Sequence, residues 1–189
     1  MESVSDKTGS RQLHAFTLVE LAAVLAIVAA LAALSFPVWR HFQRTAQASA
    51  CMQNLRQIGG GLVKYLGEHD TAFPTLVMAR RDKLEKSEAL DTVLASYLPD
   101  PRAFACPSDS KGLAASTGTS YLWNTKLNGQ RLAGLSVNYM KMDTLDSPSR
   151  IMVLADKEGF HPNLTHKINV LYADGHASQE LTFVSDSDE

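Results

Sequence analysis

The sequence predicts an α+β protein: one long N-terminal α-helix, apolar in its first half, packed on a small antiparallel sheet with a second, short helix. Three observations lead there. Leu21 to Val38 is a run of eighteen residues without Asp, Glu, Lys or Arg, and as a helix it covers about 27 Å of the roughly 30 Å hydrocarbon core of a bilayer. Beyond it, Trp39, Phe42, Ala46, Ala50, Leu55, Ile58, Leu62 and Tyr65 keep helical spacing. From Ser120 onward this pattern gives way to short, partly alternating runs bounded by Gly, Pro, Asn and Asp.

The elements follow in order. Residues 1–15 form a short polar leader, in which Lys7 and Arg11 stand against Glu2 and Asp6. The apolar segment, residues 16–38, contains Pro37, which bends a helix without having to end it. One rod is expected from Phe16 to about Leu66, on the order of 75 Å, with Gly67 as its C-cap. Gly59, Gly60 and Gly61 each cost up to about 1 kcal/mol inside a helix, and the reading is that they allow close packing against the sheet; a hinge or a local break is the alternative. Arg81 to Leu98 carries Leu84, Leu90, Val93, Leu94 and Tyr97 at helical spacing and stops at Pro99, which predicts the second helix. Ser120–Asn124, Arg150–Ala155, Lys167–Ala173 and His176–Phe183 read as strands, the last two joined by a type I′ turn at Asp174–Gly175. Residues 39–184 thus make the head, and 185–189 are an acidic tail.

Charge and composition exclude some functions. The net charge of −2 and pI near 6.3 lack the Lys/Arg surplus that neutralising phosphates requires, so no nucleic-acid partner is expected. No GxSxG, HExxH or GxxxxGK motif occurs, and the chain does not read as an enzyme. Cys51 and Cys106, the only cysteines, lack CxxC spacing and leave one bridge or two free thiols as alternatives that the compartment decides. Glu20 is the one acid at the start of the apolar run, and such a residue in lipid is usually retained for a partner.

Ala15 followed by FTLVELAAVLAIVAALAAL resembles the processing site and N-terminal helix of bacterial type IV pilins and type II secretion pseudopilins. The resemblance implies cleavage by a prepilin peptidase between Ala15 and Phe16 and methylation of the Phe16 amine. It further implies subunit assembly through Glu20, paired with a neighbour's first residue, and a kink at Pro37. Where the family usually has Gly before the cut, this chain has Ala15. The implied setting is the bacterial inner membrane, crossed once, with a pilin-like head in the periplasm. Implied partners are the peptidase, other pilin or pseudopilin subunits and an inner-membrane assembly platform. Lys7 and Arg11 before the apolar segment balance Arg40 and Arg44 after it, so the orientation rests on the resemblance. The competing class is a monomeric, membrane-anchored binding domain that does not polymerise.

A second resemblance covers Cys51 to Ala177. CMQNLRQIGGGLVKYLGEHDTAFP, FACPSD and INVLYADGHA are similar to successive motifs of prepilin-like proteins with an H-x9-DG C-terminal signature. Here His166 and Asp174–Gly175 give H-x7-DG, so no role passes to His166. Because the head is expected outside the reducing cytoplasm and both cysteines fall in these motifs, a Cys51–Cys106 disulfide is expected. No cofactor is expected. His161, His166, Asp174 and His176 cluster in sequence but lack metal-ligand spacing, and read as residues around a hairpin. The alternatives are zinc at those four residues and calcium at Asp143, Asp146, Asp156 and Glu158, although carboxylates scattered near turns are commonly just solvated.

Overall fold

The computed structural model describes residues 17–138, 144–145, 147–162 and 167–179. Ala15, Phe16, Asp143, Asp146, His166 and the acidic tail lie outside them. Among the described residues the architecture is one long helix, α1 (Leu18–Glu68), followed by a head with a four-stranded antiparallel sheet. Two compact units divide the chain between His41 and Phe42.

In the first unit α1 runs through Pro37 without interruption. The proline has no N–H to offer the preceding turn, and just ahead of it the Ser35 hydroxyl donates to the Leu31 carbonyl at 2.8 Å. This part of α1 is long and apolar enough to cross a membrane, and its apolar side chains are exposed. At its end the Arg40 guanidinium lies 4.5 Å from the centre of the Phe36 ring, where cation and ring face attract.

In the second unit α1 buries Ala48, Cys51, Met52, Leu55, Ile58, Leu62 and Leu66. The expected stripe is correct at Leu55, Ile58 and Leu62, whereas Phe42 and Ala46 are exposed. Gly67 is not the cap. The helix closes as a Schellman end, with Asp70 left-handed at φ 53° and the Thr71 N–H donating to the Leu66 carbonyl at 2.8 Å.

The glycine run separates into three environments. A Cβ on Gly59 would meet Leu171 at 3.1 Å, one on Gly61 would meet the buried Leu98 at 2.5 Å, and one on Gly60 would meet nothing within 4 Å. The helix is unbroken through all three, so close packing explains Gly59 and Gly61, with the sheet supplying the neighbour only at Gly59. Gly60→Ala should therefore raise head stability by about 1 kcal/mol through helix propensity. Gly61→Ala should lower it by about 1–3 kcal/mol through overpacking. Chemical denaturation of the two variants checks both signs.

The second helix is much shorter than the periodicity predicts. Only α2 (Leu90–Val93) and a 3-10 turn at Ala95–Tyr97 form before Pro99. Leu84, at 86% exposure, is not a core residue. Upstream, acidic side chains capture main-chain donors: the Leu84 N–H donates to Asp82 Oδ1 at 2.9 Å and the Arg81 N–H to Glu85 Oε2 at 3.1 Å, a local alternative to helix. The Ala89 N–H, bonded to Thr92 Oγ1 at 2.9 Å, fixes where α2 begins.

The sheet has the order β1 (Tyr121–Trp123), β4 (Met152–Asp156), β5 (Val170–Tyr172), β6 (Ala177–Ser178). A separate ribbon pairs β2 (Val137–Asn138) with β3 (Thr144–Leu145). Ser120–Asn124, Arg150–Ala155 and Lys167–Ala173 correspond to the shorter β1, β4 and β5, and the fourth expected strand, His176–Phe183, contains β6, with residues 180–183 outside the described ones. The β5–β6 connection is not a type I′ turn, because Asp174 lacks the positive φ that it needs. Instead Gly175 alone is left-handed, at φ 89°, and its N–H donates to the Tyr172 carbonyl at 2.9 Å, which gives a three-residue loop. Trp123, Tyr121, Leu154 and Leu171 fill the core with the buried face of α1.

Candidate functional site

Among the described residues two groups are candidates, one at the start of α1 and one inside the head. At the start, the side chain of Glu20 is engaged by Thr17. The Thr17 N–H and hydroxyl both donate to Glu20 Oε2, at 2.9 and 2.8 Å, and the Glu20 N–H donates to Thr17 Oγ1 at 3.2 Å. This is a capping box, T-x-x-E, in which N-cap and N3 side chains satisfy each other's main-chain donors. The signature is present in the sequence as Thr17-Leu18-Val19-Glu20, beside the charge of Glu20.

Inside the head, Cys51 on α1 is bonded to Cys106 as a disulfide, with Cα atoms 5.0 Å apart. The main chain places Cys106 closely. Its N–H donates to Ser120 Oγ at 3.0 Å, the Ser120 hydroxyl donates to Asp109 Oδ2 at 2.8 Å, and Asn54 Nδ2 donates to the neighbouring Ala105 carbonyl at 2.9 Å. Asp109 also accepts from the N–H groups of Leu113 and Ala114, at 3.0 and 2.8 Å, at the start of α3 (Leu113–Thr117). Burial alone would push its carboxyl up, but these donors together with Ser120 hold it below the usual carboxylate range. The CPSD segment, Cys106 to Asp109, is thus an ordered corner that presents Cys106 to α1.

Strand pairing brings two more residues to the same place. β1 and β4 pair with Tyr121 opposite Asp156, and the Lys157 N–H donates to the Ser120 carbonyl at 2.9 Å, so the end of β4 arrives beside Cys106. The following loop returns where the His161 N–H donates to the Lys167 carbonyl at 3.1 Å. His161 Nε2 then stands 3.6 Å from Cys106 Sγ and 3.3 Å from Asp156 Oδ2. Asp156 Oδ2 also accepts from the Asn169 N–H at 2.6 Å and from Asn169 Nδ2 at 3.2 Å. One ligand atom from each of Cys51, Cys106, Asp156 and His161 lies within 4.8 Å of the others, and all four residues are buried. In a nucleophilic triad the two imidazole nitrogens serve different partners. Here Nε2 faces both the sulfur and the carboxylate, and burial keeps a substrate out.

Of the four residues that cluster in sequence, Asp174 and His176 stand together beside the hairpin, and His166 lies outside the described residues. His176 Nδ1 and Asp174 Oδ1 are 2.6 Å apart, and the His176 ring stacks on Tyr172 with centroids 4.4 Å apart. His161 belongs instead to the buried group with Asp156. Of the considered calcium ligands, Asp156 is buried there, whereas Glu158 is half exposed and pairs with Lys111 at 2.6 Å. These two carboxylates do not form a common oxygen cage. An open groove of about 430 Å³ on the head is lined by Ser49, Met52, Arg56, Ala177, Ser178 and Gln179.

Comparison of the chain with protein-family models, with curated proteins and with solved structures finds no match in any of the three.

Proposed function

We propose that this chain is a membrane-inserted precursor, cut between Ala15 and Phe16 by a prepilin peptidase, whose α1 packs into the core of a secretion pseudopilus or related pilus-like filament. The observation that carries this reading is the apolar surface of α1 before the head. Val24, Leu25, Ile27, Val28, Leu31 and Leu34 are all exposed, a helix face that needs lipid or other helices around it. Both surroundings are supplied in turn when a subunit leaves the bilayer for a fibre. The head would stay outside the inner membrane, which suits its disulfide. A plain monomeric anchor is favoured by one observation, that Glu20 already has a partner in Thr17.

Processing is tested by intact-mass analysis of the protein purified from membranes with an active prepilin peptidase. The expected mass begins at Phe16 with a methylated amine. A mass that retains Met1 under those conditions would overturn the reading.

A further inference from the structure

The buried group around the disulfide has the geometry of a second, metal-bound state. We propose that when the Cys51–Cys106 bond is reduced, Cys51, Cys106, His161 and Asp156 form a tetrahedral zinc site. This inference rests on the head alone and does not depend on filament assembly.

Donor chemistry and spacing argue for it together. Two thiolates, an imidazole and a carboxylate are a zinc donor set, with Zn–S near about 2.3 Å, Zn–N about 2.05 Å and Zn–O about 2.1 Å, and a tetrahedron with these bonds separates S from N by about 3.5 Å and N from O by about 3.4 Å. The observed separations are 3.6 Å from Cys106 Sγ to His161 Nε2 and 3.3 Å from His161 Nε2 to Asp156 Oδ2. Two of the six edges of the coordination tetrahedron therefore stand already, and one ligand atom from each of the four buried residues lies within 4.8 Å of the others. The sulfurs supply the rest by moving from a bond of about 2.05 Å to about 3.8 Å apart, which side-chain rotation at two cysteines can provide.

A second observation points to a cation at this spot. Asp156 is 3% exposed, and its Oδ1 has no hydrogen-bond partner among the described residues. A buried carboxylate oxygen without a partner is costly, and an ion held through Oδ2 of the same carboxylate lowers that cost through its charge. The supporting contacts are of the kind that orient metal ligands. Asn169 holds Asp156 through two donors, and the Ser108 N–H donates to Cys106 Sγ at 3.4 Å.

The chemistry balances as a thiol–disulfide exchange followed by metal binding. A dithiol reductant gives two electrons and two protons to the bridge, yielding two protein thiols and leaving as its own disulfide. Zinc(II) then binds both sulfurs as thiolates and releases two protons. Oxidation of the thiolates by a disulfide re-forms the bridge and expels the ion. Bridge and metal thus tie α1 to the same corner of the head in alternative redox states.

The test uses the full chain in detergent micelles. One sample is kept oxidised, and another is reduced with a dithiol that is then removed under anaerobic conditions. Zinc is titrated against a chromophoric chelator, and cobalt(II) is titrated in parallel to read the ligand set by absorption. The reduced chain should take up one zinc per chain, and the oxidised chain none at the same free zinc. Cobalt should give the intense visible bands of a tetrahedral thiolate site. His161→Ala should weaken zinc by more than about a hundredfold, beyond the roughly 10–100-fold that loss of an outer partner costs. Equal uptake by oxidised and reduced chains, or a cobalt spectrum without tetrahedral thiolate character, would overturn the proposal. Both readouts use the unsubstituted protein, so a His161→Ala chain that fails to fold leaves the decision with them.

Discussion

Replacing Glu20 by Gln should abolish filaments as completely as replacing it by Ala, while leaving the head folded and the leader cleavable. Two roles compete for this side chain. As the N3 member of a capping box it needs only an acceptor oxygen, and Gln serves there as well as Glu. As the partner of a neighbouring subunit's Phe16 ammonium it needs charge, and only Glu supplies it. A pair of unit charges about 4 Å apart attracts by about 4 kcal/mol at an effective dielectric constant near 20. In the proposed filament, cleavage after Ala15 would create the positive charge, so pairing would follow processing. Losing it should reduce fibre number by more than about tenfold, since each 1.4 kcal/mol is a factor of ten. Thr17→Val gives the complementary result. It removes the hydroxyl that donates to Glu20 Oε2 and accepts from the Glu20 N–H, at a cost of about 1 kcal/mol to the helix end, but leaves the charge and should still yield fibres. Electron microscopy of sheared cells distinguishes the patterns. Normal fibres from Glu20→Gln with few from Thr17→Val would assign Glu20 to capping alone.

The second large effect belongs to the disulfide. Cys51 and Cys106 are 55 residues apart, and closing such a loop in the unfolded chain is worth about 4 kcal/mol in the entropy model. That is a large share of the roughly 5–15 kcal/mol that holds a domain together. The double substitution Cys51→Ala with Cys106→Ala should lower the melting temperature of the head by roughly 10–15 °C for a domain of this size, followed by circular dichroism with chelator present. An unchanged melting temperature would mean that the corner at Cys106 to Asp109 holds its place against α1 without the bond.

How far the sequence foretold these features depends on the range of the interaction involved. The α1 helix was legible because its signals are local: a run without charge, and then Leu55, Ile58 and Leu62 at helical spacing. Its end was not, because a left-handed Asp70 closes it where Gly67 looked the better stop. Residues 81–98 misled for the opposite reason. Their apolar spacing is helical, but Asp82 and Glu85 bind nearby main-chain donors and Leu84 points to solvent. The buried group was invisible as a group. Its members come from α1, the CPSD corner, the end of β4 and the loop after it, and only the β1–β4 pairing and the His161–Lys167 bond bring them together. His161 was grouped in sequence with His166, Asp174 and His176, yet its partner in space is Asp156. The capping box is legible in the sequence as Thr17-Leu18-Val19-Glu20, because its two members lie three residues apart.

The central claim, that α1 is a filament-core helix and not a lone anchor, is tested most directly by placing a photo-reactive amino acid at Val28 and irradiating intact envelopes that contain the peptidase. A ladder of dimers, trimers and larger species, each made of chains that begin at Phe16, is the expected result. Crosslinks to lipid alone, with every chain remaining a monomer after processing, would contradict it.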